Sequence, residues 1–242
     1  MIVSIMGVLL VRVSDMYHWH RYSSPEVVAE AAADTIVKIA QQSIAESGCF
    51  RIVLAGGSTP AICYRLLVKA VTDWSAWRIY YGDERCLPPD HADRNSVMAW
   101  DALLQHVSVP KHNIFPIPTE TGAELAAASY RQVIDAARAF DLVLLGMGED
   151  GHTASLFPGR EIIEDASVIA VHDAPKPPSE RVSLNYSALR NTRHLMLLVT
   201  GGSKRAAVAE WQSGENTDLP VARLLDKLDF IADVFIDKAA EN

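Results

Sequence analysis

Only three cysteines, Cys49, Cys63 and Cys86, occur in the 242 residues, and no two stand in a Cys-x-x-Cys spacing. So small and odd a set supports neither a disulfide framework nor a zinc ribbon. It reads as small buried apolar residues, or as idle thiols in a reducing compartment. Positive charge is also short: 22 Lys and Arg against 30 Asp and Glu leave a formal net charge of −8. That balance argues against a nucleic-acid or anionic-membrane surface, but not against a small anion wherever a few cations converge. No apolar run is long enough to span a bilayer. The opening MIVSIMGVLLVRV reaches Arg12 well before the roughly 20 residues a span takes. It also lacks a basic leading stretch and an Ala-x-Ala-type cleavage site. Residues 1–15 read as an extension or a first strand, with Met16 as a possible true start, and the expected location is the cytoplasm.

The rest of the composition is that of a folded chain, 49% hydrophobic and 21% charged, which excludes bulk disorder. No repeat, low-complexity stretch or composition shift marks a linker, so residues 16–242 read as one domain. A helix is expected from Ser24 to Ala45, with Pro25 in its first turn and Gly48 as its stop. Short apolar runs at Phe50–Ala55, Trp77–Tyr81, Asp141–Leu145, Ser167–Val171, Arg181–Leu184, Leu195–Val199 and Ile231–Ile236 read as strands, with a shorter one at Ile114-Phe115. Helical patterns over 60–71, 96–105, 121–139 and 203–211 lie between them. Strands separated by helices imply an α/β chain built on a mostly parallel sheet with both faces covered.

Four glycine-rich or charged segments each follow an apolar strand: Gly56-Gly57-Ser58-Thr59, Gly82-Asp83-Glu84-Arg85, Gly146 to His152, and Thr200-Gly201-Gly202-Ser203-Lys204. In an open parallel sheet such loops share the carboxyl edge, where ligands bind. The first can bring backbone N–H groups, two hydroxyls and a helix start onto one anion. Its plainer reading is a tight βα turn with Ser58 or Thr59 as N-cap. It lacks the P-loop spacing, and Pro60 stands where a nucleophile elbow would need glycine. Gly146-x-Gly148-x-x-Gly151 formally fits a dinucleotide fingerprint, yet His152 follows at once and Pro158-Gly159 stop any long helix. The glycines instead suit a loop presenting His152, with Glu149 and Asp150 near enough to orient it; the plainer reading is a solvated loop histidine. Asp83 and Arg85 can share one face of an extended segment while Glu84 turns away, or can simply form a surface ion pair. Arg181 and Lys204 are the other cations placed to meet a phosphate. No metal is expected. His18-x-His20 and Asp90-His91-x-Asp93 lack further ligands at useful spacing, and His18 and His20 read as part of a surface turn.

Taken together, Leu54-Ala55-Gly56-Gly57-Ser58-Thr59-Pro60, Gly82-Asp83-Glu84-Arg85-Cys86-Leu87-Pro88 with Asn95, and the run from Gly146 to Gly159 around His152 resemble the 6-phosphogluconolactonase family. Arg181-Val182-Ser183-Leu184-Asn185 and Val199-Thr200-Gly201-Gly202-Ser203-Lys204 extend the likeness over about residues 17 to 236. Family members often carry proline where Glu149 stands, a departure that alters local charge but spares the histidine. The resemblance implies a doubly wound, Rossmann-like α/β fold with helices on both faces. It also implies hydrolysis of 6-phospho-D-glucono-1,5-lactone to 6-phosphogluconate in the pentose phosphate pathway, with no cofactor. By the same likeness His152 is the general acid/base. Arg85, Arg181 and Lys204, with the loop of Gly56, Gly57, Ser58 and Thr59, hold phosphate or stabilise developing charge. Asp83 orients Arg85 or a sugar hydroxyl, and Gly148 and Asp150 belong to the substrate site.

Two other functions compete. A sugar-phosphate isomerase resembling glucosamine-6-phosphate deaminase shares the fold and a Gly-Asp-Gly-His loop. Its loop continues toward Ala-Phe-Asn-Glu-Pro, where this chain reads Thr153-Ala154-Ser155-Leu156-Phe157-Pro158. A non-catalytic sugar-phosphate sensor of the kind found in bacterial repressors would need a DNA-binding segment. Only about two dozen residues precede the first long helix, and the acidic balance disfavours DNA. The expected partner is a small phosphorylated sugar lactone, without nucleic acid or membrane, and the sequence is silent on oligomeric state.

Overall fold

The computed structural model describes residues 17–160, 166–214 and 218–241, so the expectation for residues 1–15 lies outside the described residues. Six strands make one parallel sheet: β1 (His18–Tyr22), β2 (Phe50–Leu54), β3 (Trp77–Tyr81), β5 (Leu142–Gly146), β8 (Leu195–Val199) and β9 (Asp233–Asp237), in the order β1-β9-β8-β5-β2-β3. Three shorter strands, β4 (Asp83–Arg85), β6 (Val168–Val171) and β7 (Arg181–Leu184), form a separate antiparallel sheet in the order β4-β7-β6. The sequence reading had no second sheet. Its strands are three or four residues long, too short for alternation to reveal their pairing.

The helices are α1 (Pro25–Ser47), α2 (Ser58–Leu67), α3 (Asn95–Ala102), α4 (Ala123–Ala136), α5 (Tyr186–Arg190), α6 (Arg205–Ser213), α7 (Pro220–Leu225) and α8 (Lys238–Glu241). The start and stop of α1 follow its local chemistry. Ser24 Oγ accepts the Val27 N–H at 3.5 Å, and Gly48 takes a left-handed φ of 75° while its N–H caps the Ile44 carbonyl. Helix α1 packs on β1, β2, β9 and α2, and α4 covers β6 and β7. In β8 every residue is buried, as are the first four residues of β5, so these central strands are covered on both faces. A single apolar cluster takes in residues of both sheets, from Val28 of α1 to Val182 of β7.

His18 and His20 are not on a surface turn but on edge strand β1, where both face Asp233 of β9, at 3.5 Å and 2.7 Å. The aromatic and β-branched partners along β9 hold this polar segment in the sheet, a tertiary effect that outweighs its composition. Ile114-Phe115 makes only an isolated bridge to Ile79 and does not extend into a strand.

Chain order reverses beside β2: the chain steps outward from β2 to β3, then returns to β5 on the other side and proceeds through β8 to β9. A crevice opens at such a switch point beyond the carboxyl ends of the strands. Tyrosines tie off two of those ends. Tyr64 Oη accepts the Ala55 N–H and donates to the Ala55 carbonyl, and Tyr130 Oη does the same for Tyr81.

Candidate active site

A cavity of about 310 Å³ occupies the switch point. Gly56 and Gly57 after β2, Gly82, Asp83 and Arg85 after β3, Gly146 at the end of β5 with Gly148 and His152 beyond it, and Lys204 after β8 all line it, together with Arg181 of β7. The four loops singled out in the sequence therefore converge. Ser58 and Thr59 do not line the cavity: Ser58 is exposed at the start of α2, and Thr59 is buried with its hydroxyl 2.5 Å from that of Thr200. These hydroxyls join two βα loops.

The loop after β5 is shaped around the histidine. Gly148 N–H donates to the His152 carbonyl at 2.7 Å, Gly151 turns with φ 77°, and Thr153 Oγ1 donates back to the Gly146 carbonyl at 2.9 Å. A Cβ on Gly148 would fall 1.9 Å from His152 Nδ1, so the ring occupies space that only glycine leaves open. Asp150 Oδ1 lies 2.5 Å from His152 Nδ1. With Nδ1 donating to that carboxylate, Nε2 is left as the proton acceptor. Burial pushes the His152 imidazole below its ordinary value, against the raising influence of Asp150. Burial alone would raise Asp150, but its bond and charge pairing with His152 bring it below the usual carboxylate value. Glu149, also expected near the ring, instead pairs with Lys176 at 3.0 Å.

Phe157 stands beside His152 with ring centroids 4.8 Å apart, and the Arg181 guanidinium lies 5.6 Å from the same phenyl ring. Arg181 is buried, and its Nε and Nη2 donate to the carbonyls of Lys176, Pro177 and Pro178. Burial lowers the proton affinity of Arg181, Asp83 raises it, and neighbouring Arg85 lowers it again. Burial likewise lowers Lys204, with a further lowering from Lys176.

Asp83 lines the cavity. It does not pair with Arg85. Its Oδ1 accepts from Asn95 Nδ2 at 2.9 Å and its Oδ2 from Ser155 Oγ at 2.6 Å, while Arg85 donates to the Asp93 carbonyl. Glu84, fully buried, accepts the N–H groups of Arg85, Asn95 and Ser96 and lies 3.5 Å from Arg94 Nε. Asn95, named only within the resemblance, lines the cavity, and a Cβ on Gly56 would sit 2.0 Å from its Oδ1. Lys176 and Pro177 line it too and were not foreseen. A Lys-Pro-Pro run just ahead of Arg181 was the available sign.

Among the described residues no helix is long and apolar enough to cross a membrane. A family model described as glucosamine-6-phosphate isomerases/6-phosphogluconolactonase matches residues 23–231. A probable chloroplastic 6-phosphogluconolactonase 3 from Oryza sativa subsp. indica is 34% identical, over 90% of this chain and 73% of its own. A 6-phosphogluconolactonase of Mycobacterium leprae is also 34% identical, over 83% of this chain and 88% of its own. Of solved structures, the Trypanosoma brucei 6-phosphogluconolactonase superposes with a TM-score of 0.82 at 28% identity, covering 93% of this chain and 97% of that one. The Thermotoga maritima 6-phosphogluconolactonase gives 0.83 at 26%, covering 92% and 100%. A monomeric glucosamine-6-phosphate deaminase shares the fold, with a TM-score of 0.81 at 21% identity over 92% and 98%.

Proposed function

Because the chain belongs to the glucosamine-6-phosphate isomerase/6-phosphogluconolactonase family, we propose that it hydrolyses 6-phospho-D-glucono-1,5-lactone to 6-phosphogluconate in the oxidative branch of the pentose phosphate pathway. The observation that carries this reading is His152, held by Asp150, lining a cavity that Arg85, Arg181 and Lys204 also line.

Lactone opening needs a base for water, a counter-charge for the oxyanion, and an anchor for the remote phosphate. Nε2 of a neutral His152 takes a proton from water as its oxygen bonds to the lactone carbonyl carbon. The carbonyl oxygen becomes anionic, and cations of the cavity stabilise it. Collapse of this intermediate breaks the bond to the ring oxygen, which receives the proton from His152. Water is consumed and the histidine regained. Asp150 keeps Nδ1–H oriented and stabilises the transient imidazolium. The cations and the backbone of Gly56 and Gly57 hold the phosphate. Asp83 acts through Asn95 and Ser155, which it fixes beside the cavity.

An isomerase needs a free carboxylate to carry a proton between sugar carbons. Both oxygens of Asp83 are already engaged, and Asp150 is taken up by the histidine. The reading includes one catalytic domain over residues 16–242 and a cytoplasmic location, supported by the free thiols of Cys49, Cys63 and Cys86. Purified protein given the phosphorylated lactone and, in parallel, glucosamine 6-phosphate tests it. Hydrolysis of the lactone is expected; turnover of the amino sugar alone rejects the proposal.

A further inference from the structure

Glu149 has no part in the chemistry above, yet it sits three residues before His152 and reaches across to Lys176, Oε1 to Nζ 3.0 Å. Lys176 belongs to a strap over residues 174–179, closed by Ala174 N–H donating to the Ser179 carbonyl at 2.9 Å. The same strap holds Arg181 through three of its carbonyls. Lys176 lines the cavity with Lys204, and after burial the charge of Lys176 is the next cause of the lowering of Lys204. Hence two pairs of cations face the cavity, Arg85 with Arg181 and Lys176 with Lys204. One member of the second pair is held by an acid from the catalytic loop.

We propose that Glu149 is a specificity-determining residue that competes with the ligand for Lys176: it neutralises this lysine in the empty site and must yield it to the phosphate. The inference rests on the lactonase reading. Its physics is an exchange of counter-ions. A phosphate monoester brings about −1.5 to −2 charges and three strong acceptor oxygens, whereas Glu149 brings a single charge. The ester can therefore displace Glu149 and engage Lys176 and Lys204 together. A monoanionic sugar acid has no such advantage over the resident carboxylate. The pair is partly open to solvent, with side-chain exposures of 38% for Lys176 and 56% for Glu149, so the competition is modest and readily reversed.

Calorimetric titration of 6-phosphogluconate and of gluconate into the parent, E149Q, K176M and the double variant tests the exchange, with lactone turnover measured on the same preparations. E149Q is expected to bind 6-phosphogluconate about two- to fivefold tighter, the yield of removing one exposed ion pair. Its KM falls in step and its kcat is unchanged. K176M is expected to bind on the order of tenfold more weakly, the loss of one charge-assisted contact, and the benefit of E149Q shrinks in that background. Gluconate, which cannot displace Glu149 in the parent, is expected to gain at least as much in E149Q, so that the preference for the phosphate ester narrows, and to move little in K176M. If the parent hydrolyses the lactone but E149Q binds 6-phosphogluconate no tighter, the exchange is overturned while the lactonase reading stands. If the parent neither binds 6-phosphogluconate nor turns over the lactone, both fall.

Discussion

The imidazole of His152 works only because its neighbours are small or acidic. Gly148 leaves room for the ring, Asp150 fixes Nδ1, and Phe157 shields one side. Burial favours the neutral ring, so His152 titrates below the ordinary histidine value of about 6.5. Exposed His172 lies between Glu124 at 2.9 Å and Glu180 at 2.6 Å, and its two hydrogen bonds raise it. The stability signs follow. For His152 the folded protein resists protonation, so its contribution is lost as pH falls from 6.5 through the lowered value. For His172 a contribution is present below 6.5 and lost as pH rises through the raised value, but solvent screens it. An NMR titration of the ring protons should place His152 below 6.5 and His172 above it; the reverse order would contradict this electrostatic picture. The histidine and its glycines were legible in sequence because Gly148, Gly151 and His152 are adjacent on one loop. The neighbour that matters, Asp150 rather than Glu149, was not, since both are within reach until the turn is known.

At the scale of elements, the site depends on joints between short segments. Glu84 is the clearest. It closes the N-terminus of α3 by accepting from Asn95 and Ser96, and it faces Arg94 in the interior. Glu84→Ala strands three backbone donors and removes one of the two carboxylates beside the buried Arg94 guanidinium, the other being Glu120 at 3.5 Å, at a cost of about 3 kcal/mol. Urea unfolding should show the midpoint lowered with little change in slope; an unchanged midpoint would mean that Glu84 is not the cap described. Here the sequence misled in a definite way. The triplet Asp83-Glu84-Arg85 invited a pairing of its own charges, but each finds a partner elsewhere: Asn95 and Ser155 for Asp83, Arg94 for Glu84, and the Asp93 carbonyl for Arg85. Long-range partners in loops leave no periodic trace. By contrast the long amphipathic α1 and the apolar β5 and β8 were legible almost to the residue, because burial on both faces demands unbroken apolar runs.

For the molecule as a whole, a net charge of −8 coexists with a cavity walled by Arg85, Lys176, Arg181 and Lys204. The parallel sheet causes this concentration by directing the ends of β2, β3, β5 and β8 to one edge, while the small antiparallel sheet adds Arg181. The first convergence was readable from four loops following four strands. Arg181 was named from the sequence, but the sheet that carries it was not readable, because the pairing of β4 with β7 links residues nearly a hundred positions apart. A ligand that binds only this folded cavity must stabilise it. At one hundred times its Kd, 6-phosphogluconate should contribute about 2.7 kcal/mol and raise Tm by roughly 5–10 °C, while gluconate at equal concentration does far less. Equal shifts for the two would remove the phosphate anchor.

The central claim is that one imidazole carries the proton for lactone opening while separate cations bind the phosphate. The most direct measurement is the pair of constants for His152→Ala: kcat on the phosphorylated lactone and Kd for 6-phosphogluconate. The account predicts kcat lowered by about 10²- to 10⁴-fold, the usual share of a general acid/base, with Kd within a few-fold of the parent. A variant that keeps the parent's kcat would contradict it.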